Sequence, residues 1–173
     1  MRSDADLPTD KLSVILPPLT ALKVEFKKAI DLNPSNYLAH RWYALFLATR
    51  NRRSEALNEL NHAIEINPFY PLGYTDLGRY YYNCREFGNA IQYFLRAKEL
   101  DNNNYLAPAF LGLTLLQMKQ FDKAIAELEL AVKLSLDSEP GILAALSYAY
   151  SLSGKRDSAY KRINQIEKIS EER

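Results

Sequence analysis

Residues 61–68 read NHAIEINP, and the chain keeps returning to that stretch. Thirty-four residues earlier it reads KKAIDLNP, ending at Pro34; later it reads RAKELDN at 96–102 and LAVKLSL at 130–136. Alanine keeps the interval most strictly. Ala29, Ala63, Ala97 and Ala131 are spaced by 34 residues, and Ala56, Ala90 and Ala124 keep the same interval seven positions earlier. Between them stand the bulky residues Phe26, Leu60, Phe94 and Leu128. A spacing of four and then three places small, bulky and small side chains on one face of a helix. Small residues at fixed points mark where two helix axes must come close, since a larger side chain would hold them apart. Within the repeat, Ile64 and Ile66 are apolar positions near the helix end, and Asn67–Pro68 stops the helix so that the next can begin.

Each of these helices is preceded by another. Leu77, Tyr81 and Cys84 line one stripe of 72–84, and Leu111, Leu115 and Met118 line the equivalent stripe of 106–118. Polar turns at 83–85 and 119–120 separate the members of each pair. Pro71, Pro108 and Pro140 lie at or near helix starts, where a missing N–H costs little. Strict apolar–polar alternation is absent, so the expectation is an all-α chain of helices in antiparallel pairs.

A 34-residue helix–turn–helix period resembles the tetratricopeptide repeat (TPR), whose pattern is W-x2-L-G-x2-Y, then A-x3-F, then P. Tyr74, Leu77, Gly78, Tyr81, Ala90 and Phe94 follow it, with Asn102 where proline is usual. The preceding unit supplies His40, Tyr43, Ala44, Leu47, Ala56, Leu60 and Pro68; the following one supplies Pro108, Leu111, Gly112, Leu115, Ala124 and Leu128. A fourth, shifted by one residue inserted near 137–139, supplies Leu143, Leu146, Ser147, Tyr150, Ala159 and Ile163. The resemblance implies a solenoid of four full repeats, at 37–70, 71–104, 105–138 and 140–173, behind a partial repeat at 18–36. Together these form one superhelical domain over 18–173, with 1–17 a flexible or degenerate N-terminal segment. In the partial repeat, 20–32 reads as a second helix whose first helix is degenerate or missing, and Pro17–Pro18 would break any continuous helix through 12–30.

A narrower likeness lies in HRWYALFLATRNRRSEALNELNHAIEINP, YTDLGRYYY and ILAALSYAYSLSGKRDSA. These runs are similar to the TPR portion of bacterial winged-helix regulators, nucleotide cyclases and Ser/Thr kinases. In those proteins the repeats are the regulatory or partner-binding part. No winged-helix segment, kinase glycine loop or catalytic-loop motif is readable in this chain.

Composition excludes several classes. The 173 residues are 47% hydrophobic and 25% charged with a formal net charge of +1, so no overall field argues for nucleic acid or an anionic membrane. The longest apolar runs fall far short of the roughly 18 residues a membrane span needs. The polar start MRSDADLPTDK lacks a signal-peptide core, and the single cysteine, Cys84, excludes an internal disulfide. A cytoplasmic setting is the expectation.

Candidates for chemistry read as architecture or surface. His40 stands where the family often has tryptophan, and His62 falls on a polar face; 22 residues apart, they have no cysteine or carboxylate at metal-ligand spacing. Cys84 ends a packing stripe, with Arg79 and Arg85 near in sequence as the only hint of an activated thiol. Gly154-Lys155-Arg156 lacks the flanking residues of a phosphate loop, and Gly154 reads as a left-handed helix stop. Arg50, Arg52 and Arg53 surround Asn51 in an interhelix turn and read as solvated. Glu127 and Glu129 do not share a helical face. No catalytic residue, metal site or cofactor is expected, and the chain reads as a non-catalytic scaffold.

In TPR proteins the first helix of each pair lines a concave groove. The resemblance therefore implies that a peptide or protein partner meets Arg41, Leu45 and Thr49, then Thr75, Arg79, Tyr82 and Asn83, then Ala109, Leu113 and Gln117, then Tyr148. Leu45 and Leu113 fit equally well as packing between repeats. A clamp for a chaperone C-terminal carboxylate is disfavoured. Its positions hold Arg41 and Leu45, then Asp76, then Leu106 and Phe110, leaving one cation and a repelling carboxylate. Two rivals stand beside the groove: self-assembly through the terminal helix with Ile163, Ile166 and Ile169, and a small-molecule sensor walled by Tyr82 and Tyr148.

Overall fold

Asn33, Asn67 and Asp101 play one part, a period apart. The side-chain oxygen of each accepts a hydrogen bond from the backbone N–H two residues on: Ser35 at 3.2 Å, Phe69 at 3.2 Å and Asn103 at 3.1 Å. Such Asx turns break a helix and redirect the chain. A computed structural model describes residues 19–136 and 138–171. Among them the regular structure is helical throughout: α1 (Leu19–Leu32), α2 (Tyr37–Thr49), α3 (Arg53–Ile66), α4 (Pro71–Asn83), α5 (Phe87–Leu100), α6 (Leu106–Gln117), α7 (Phe121–Leu134), α8 (Pro140–Leu152) and α9 (Arg156–Glu171). These bounds agree with the expected helices to within two residues wherever both ends were read. The readings made for 1–17, for the break at Pro17–Pro18 and for Asp137 lie outside the described residues.

The helices fall into two compact units, Met1–Ile66 and Asn67–Arg173. In the first, α2 pairs with α3, and α1 packs on α2. Its core joins Tyr43, Leu47 and Ala56, flanked by Phe26, Ile30 and Phe46. The Phe26, Tyr43 and Phe46 rings stand 5.9 to 6.3 Å apart. In the second, α4/α5, α6/α7 and α8/α9 are the pairs, with α6 on α5 and α8 on α7. The first helices also touch in turn, α4 to α6 and α6 to α8. Phe94, Leu111, Leu115, Leu128, Leu143 and Leu146 form the centre of its core.

The turn inside each pair is one device used four times. Asn51, Arg85, Lys119 and Gly154 hold φ of 57°, 62°, 59° and 78°. The next residue's N–H reaches back five positions: Arg52 to Leu47 O, Glu86 to Tyr81 O, Gln120 to Leu115 O and Lys155 to Tyr150 O, at 2.9 to 3.1 Å. This is the left-handed helix stop that Gly154 alone announces in the sequence.

Six of the seven small positions are closed as expected, and Ala29 is half-buried. Ala56, Ala63, Ala90, Ala97, Ala124 and Ala131 are at most 1% exposed. Glycine at 78 is demanded by its neighbour, since a Cβ there would lie 2.5 Å from Phe94 Cδ1. The first repeat solves the same contact with Ala44 and Leu60, both buried. Gly78→Ala is therefore expected to destabilise by about 1–2 kcal/mol, overpacking outweighing the roughly 1 kcal/mol gained in helix propensity. Adding Phe94→Leu is expected to relieve the clash, so the double variant is more stable than the sum of the singles. Urea unfolding of all three variants checks it.

At α9 the structure divides the three isoleucines. Ile166 and Ile169 pack against the core, whereas Ile163 is 40% exposed. The first two fall on the side of α9 that meets the rest of the unit, so the uncovered stripe is narrower than the triplet suggests.

Candidate functional site

The candidate face in the second unit is built by α4, α6 and α8. Arg79 sits midway along α4 and is held from two sides. Its Nη1 is 3.5 Å from Asp76 Oδ1 one turn back, and its guanidinium carbon lies 4.9 Å over the Phe110 ring of α6. Asp76 is buried and Phe110 stacks on the buried Phe94 at 5.9 Å, so the support under Arg79 is rigid. The Arg79 side chain remains 47% exposed on this preset frame. Tyr148 on α8 is 60% exposed, and Asn83 and Gln117 are exposed amides at the ends of α4 and α6.

The other expected groove residues separate into classes. Thr75 is buried and its hydroxyl donates to Pro71 O at 3.2 Å; Ala109 is buried as well. Neither offers an accessible contact. Leu113 and Tyr82 are half-buried against the core, and the Tyr82 ring lies 5.9 Å from Phe87. Packing thus takes part of the surface that family position assigns to a ligand. In the first unit, Arg41 lies 4.7 Å over the ring of Trp42, itself 51% exposed. Leu45 is half-buried, and the Thr49 hydroxyl donates to Phe46 O at 2.7 Å.

The two histidines, far apart in sequence, meet in space. Their ring centroids are 4.5 Å apart and nearly perpendicular. Buried His40 faces Glu59 Oε2 through Nδ1 at 2.6 Å and Pro34 O through Nε2 at 2.9 Å. One period later Tyr74 repeats the contacts to Pro34 O and to His62 in other chemistry: its hydroxyl donates to Pro68 O at 3.1 Å, and Arg96 lies 5.9 Å over its ring. The recurrence identifies the histidine pair as a joint of the repeat. A cavity of about 440 Å³ beside it is lined by His40, Asn58, Glu59, Asn61, His62 and Glu65. Among the described residues, no three His, Cys, Asp or Glu side chains are grouped to hold a metal ion. Half-buried Cys84 is the C-cap of α4. The basic turn is answered locally: Arg52 pairs with Glu55, and Arg53 Nε donates to Asn51 Oδ1 at 3.0 Å.

Glu127 and Glu129 serve different neighbours. Glu127 pairs with Lys98 of α5 at 2.6 Å, and Glu129 accepts the Tyr150 hydroxyl of α8. Burial pushes the Tyr150 hydroxyl above the ordinary tyrosine range, and its bond to the Glu129 carboxylate adds to the shift. Because the fold holds that proton more tightly than the unfolded chain, its contribution is complete below pH about 10 and is lost as pH rises past that value. Tyr150→Phe is expected to flatten the alkaline loss of stability and to cost about 1 kcal/mol at neutral pH. Urea midpoints measured across pH check both.

Among the described residues, no helix is long and apolar enough to cross a membrane. The tetratricopeptide-repeat family model matches residues 73–104 and 109–138. The chain is 31% identical over 142 residues to anaphase-promoting complex subunit 3 of Schizosaccharomyces pombe, covering 80% of this chain and 21% of that protein. It spans about a fifth or less of that relative and of human tetratricopeptide repeat protein 13, which it matches at 28% identity over 65% of this chain and 13% of that one. Among solved structures it superposes on MamA with a TM-score of 0.75 at 21% identity, covering 89% of this chain and 90% of that one. On Pseudomonas aeruginosa PilF the TM-score is 0.79 at 21% identity, with 87% and 68% covered. With the 34-residue joints, the glycine–bulky contacts and these likenesses together, the chain is built of tetratricopeptide repeats on an all-α TPR-solenoid fold.

Proposed function

We propose that the α4–α6–α8 face of the second unit binds an extended segment of a partner protein, and that the chain serves as a non-catalytic regulatory or signalling scaffold. The observation that carries the reading is Arg79: half-exposed, tethered by buried Asp76 and backed by Phe110. A preset guanidinium on an aromatic floor loses little freedom when it meets a backbone carbonyl or a side-chain acceptor. Tyr148 supplies an aromatic anchor, while Asn83 and Gln117 supply amides that can pair with a peptide backbone. Protein binding is the usual work of TPR folds, and the likeness of residues 40–68 to bacterial regulators supports a regulatory setting. The anaphase-promoting complex relative is by its name a subunit of an assembly, which fits a partner-binding role.

The test is a selection from a random peptide library, followed by hydrogen exchange on the complex with an enriched peptide. Slowed exchange in α4, α6 and α8 is expected. Enriched peptides that protect only α5, α7 or α9 would overturn the proposal.

A further inference from the structure

One exposed stripe of α9 reads Arg156, Tyr160, Ile163, Glu167, a spacing of four, three and four along a helix. Tyr160 is 65% exposed, Ile163 is 40% exposed, and both flanking charges are exposed. The equivalent residues of the other pairs in this unit are covered. Phe94 and Leu128, in the place of Ile163, are 0% exposed; in the place of Tyr160, Ile125 is 4% exposed and Ile91 is half-buried against the core. In those pairs the neighbouring first helix closes the surface, α6 over α5 and α8 over α7. On α9, among the described residues, the stripe keeps its two bulky apolar side chains and is left open. A cavity of about 260 Å³, lined by Ser151, Arg156, Ala159, Tyr160 and Ile163, opens beside its N-terminal half.

The order of charges decides what fits there. The stripe is basic at one end, apolar in the middle and acidic at the other. We propose that it pairs with the same stripe of a second copy of this chain, antiparallel about a two-fold axis. An axis crossing α9 midway between Tyr160 and Ile163 sets Tyr160 against the second copy's Ile163. The same axis sets Arg156 against the second copy's Glu167, twice over by symmetry. A four–three–four spacing is the seam of a helix pair, and a two-fold contact requires a surface complementary to itself. A parallel pairing would place Arg156 against Arg156 and Glu167 against Glu167, so the charges select the antiparallel form. Arg156 has no carboxylate partner of its own among the described residues.

Sedimentation of the whole chain over a wide micromolar range tests this. The expected mass rises from one chain to two. Ile163→Asp is expected to leave the chain monomeric, with its helical circular dichroism unchanged because the residue is at the surface. Arg156→Glu and Glu167→Arg are each expected to weaken self-association by about tenfold, since two attractive pairs become repulsive. Mixed in equal amounts, these two variants put opposite charges across both contacts, and association is expected to return. A wild-type chain that stays monomeric throughout overturns the proposal. So does a dimer indifferent to Ile163→Asp, or a mixture that associates no better than its components.

Discussion

Phe94→Ala is expected to lower the stability of the second unit by about 3–5 kcal/mol, among the largest effects of any single truncation in the chain. Phe94 is fully buried, stacks on Phe110 and fills the space that Gly78 leaves by having no side chain. A hole opened there has poor means of collapsing, since its far wall is helix backbone rather than a movable side chain. Phe94→Leu is expected to cost much less, about 1 kcal/mol, since leucine occupies the same place at 60 and 128. The loss should extend to function, because Phe94 supports Phe110 and Phe110 supports Arg79. Urea unfolding reads the stability difference. A cost below about 1 kcal/mol for alanine would mean that the contact is far looser than described.

The second large effect is expected at His40. Its two ring nitrogens lie within hydrogen-bond distance of Glu59 Oε2 and Pro34 O, so the ring ties the α1–α2 turn to α3. His40→Ala removes both bonds and leaves the Glu59 carboxylate without its partner. A lost hydrogen bond to a charged group costs about 1.5–3 kcal/mol; the 26% exposure of Glu59 lets water recover part of that, and with the bond to Pro34 O also lost about 2–3 kcal/mol is expected. The first unit has only a small core, so its unfolding should show the change plainly. In a double-mutant cycle, Glu59→Ala should lose most of its own cost once His40 is gone. Additive costs would deny the coupling.

The helices were legible because period and stripe are properties of the backbone, and Ala56, Leu60 and Ala63 report the same face in every repeat. The turns around Asn51, Arg85 and Lys119 were legible as polar breaks, but their left-handed conformation was not, because only glycine advertises it. The His40–His62 joint was read as two unrelated residues, because its chemistry changes from imidazoles to Tyr74 and Arg96 while its geometry stays. Comparing residue pairs one period apart would have found it. In the candidate face, family position alone could not separate Thr75 and Ala109, which packing buries, from Arg79 and Tyr148, which it leaves accessible. That division depends on how closely α4, α6 and α8 approach, and a single sequence does not encode such distances in any local pattern.

The central claim is that this face is where the chain meets its partner. It is tested most directly by the affinity of one library-selected peptide for the wild type, Arg79→Ala, Tyr148→Ala and, on the second-helix surface, Leu95→Ala. Anchor residues at an interface lose about tenfold or more on truncation. The account predicts that loss for Arg79→Ala and Tyr148→Ala, with Leu95→Ala unchanged. Equal affinity across all four proteins, each shown to be folded, would contradict it.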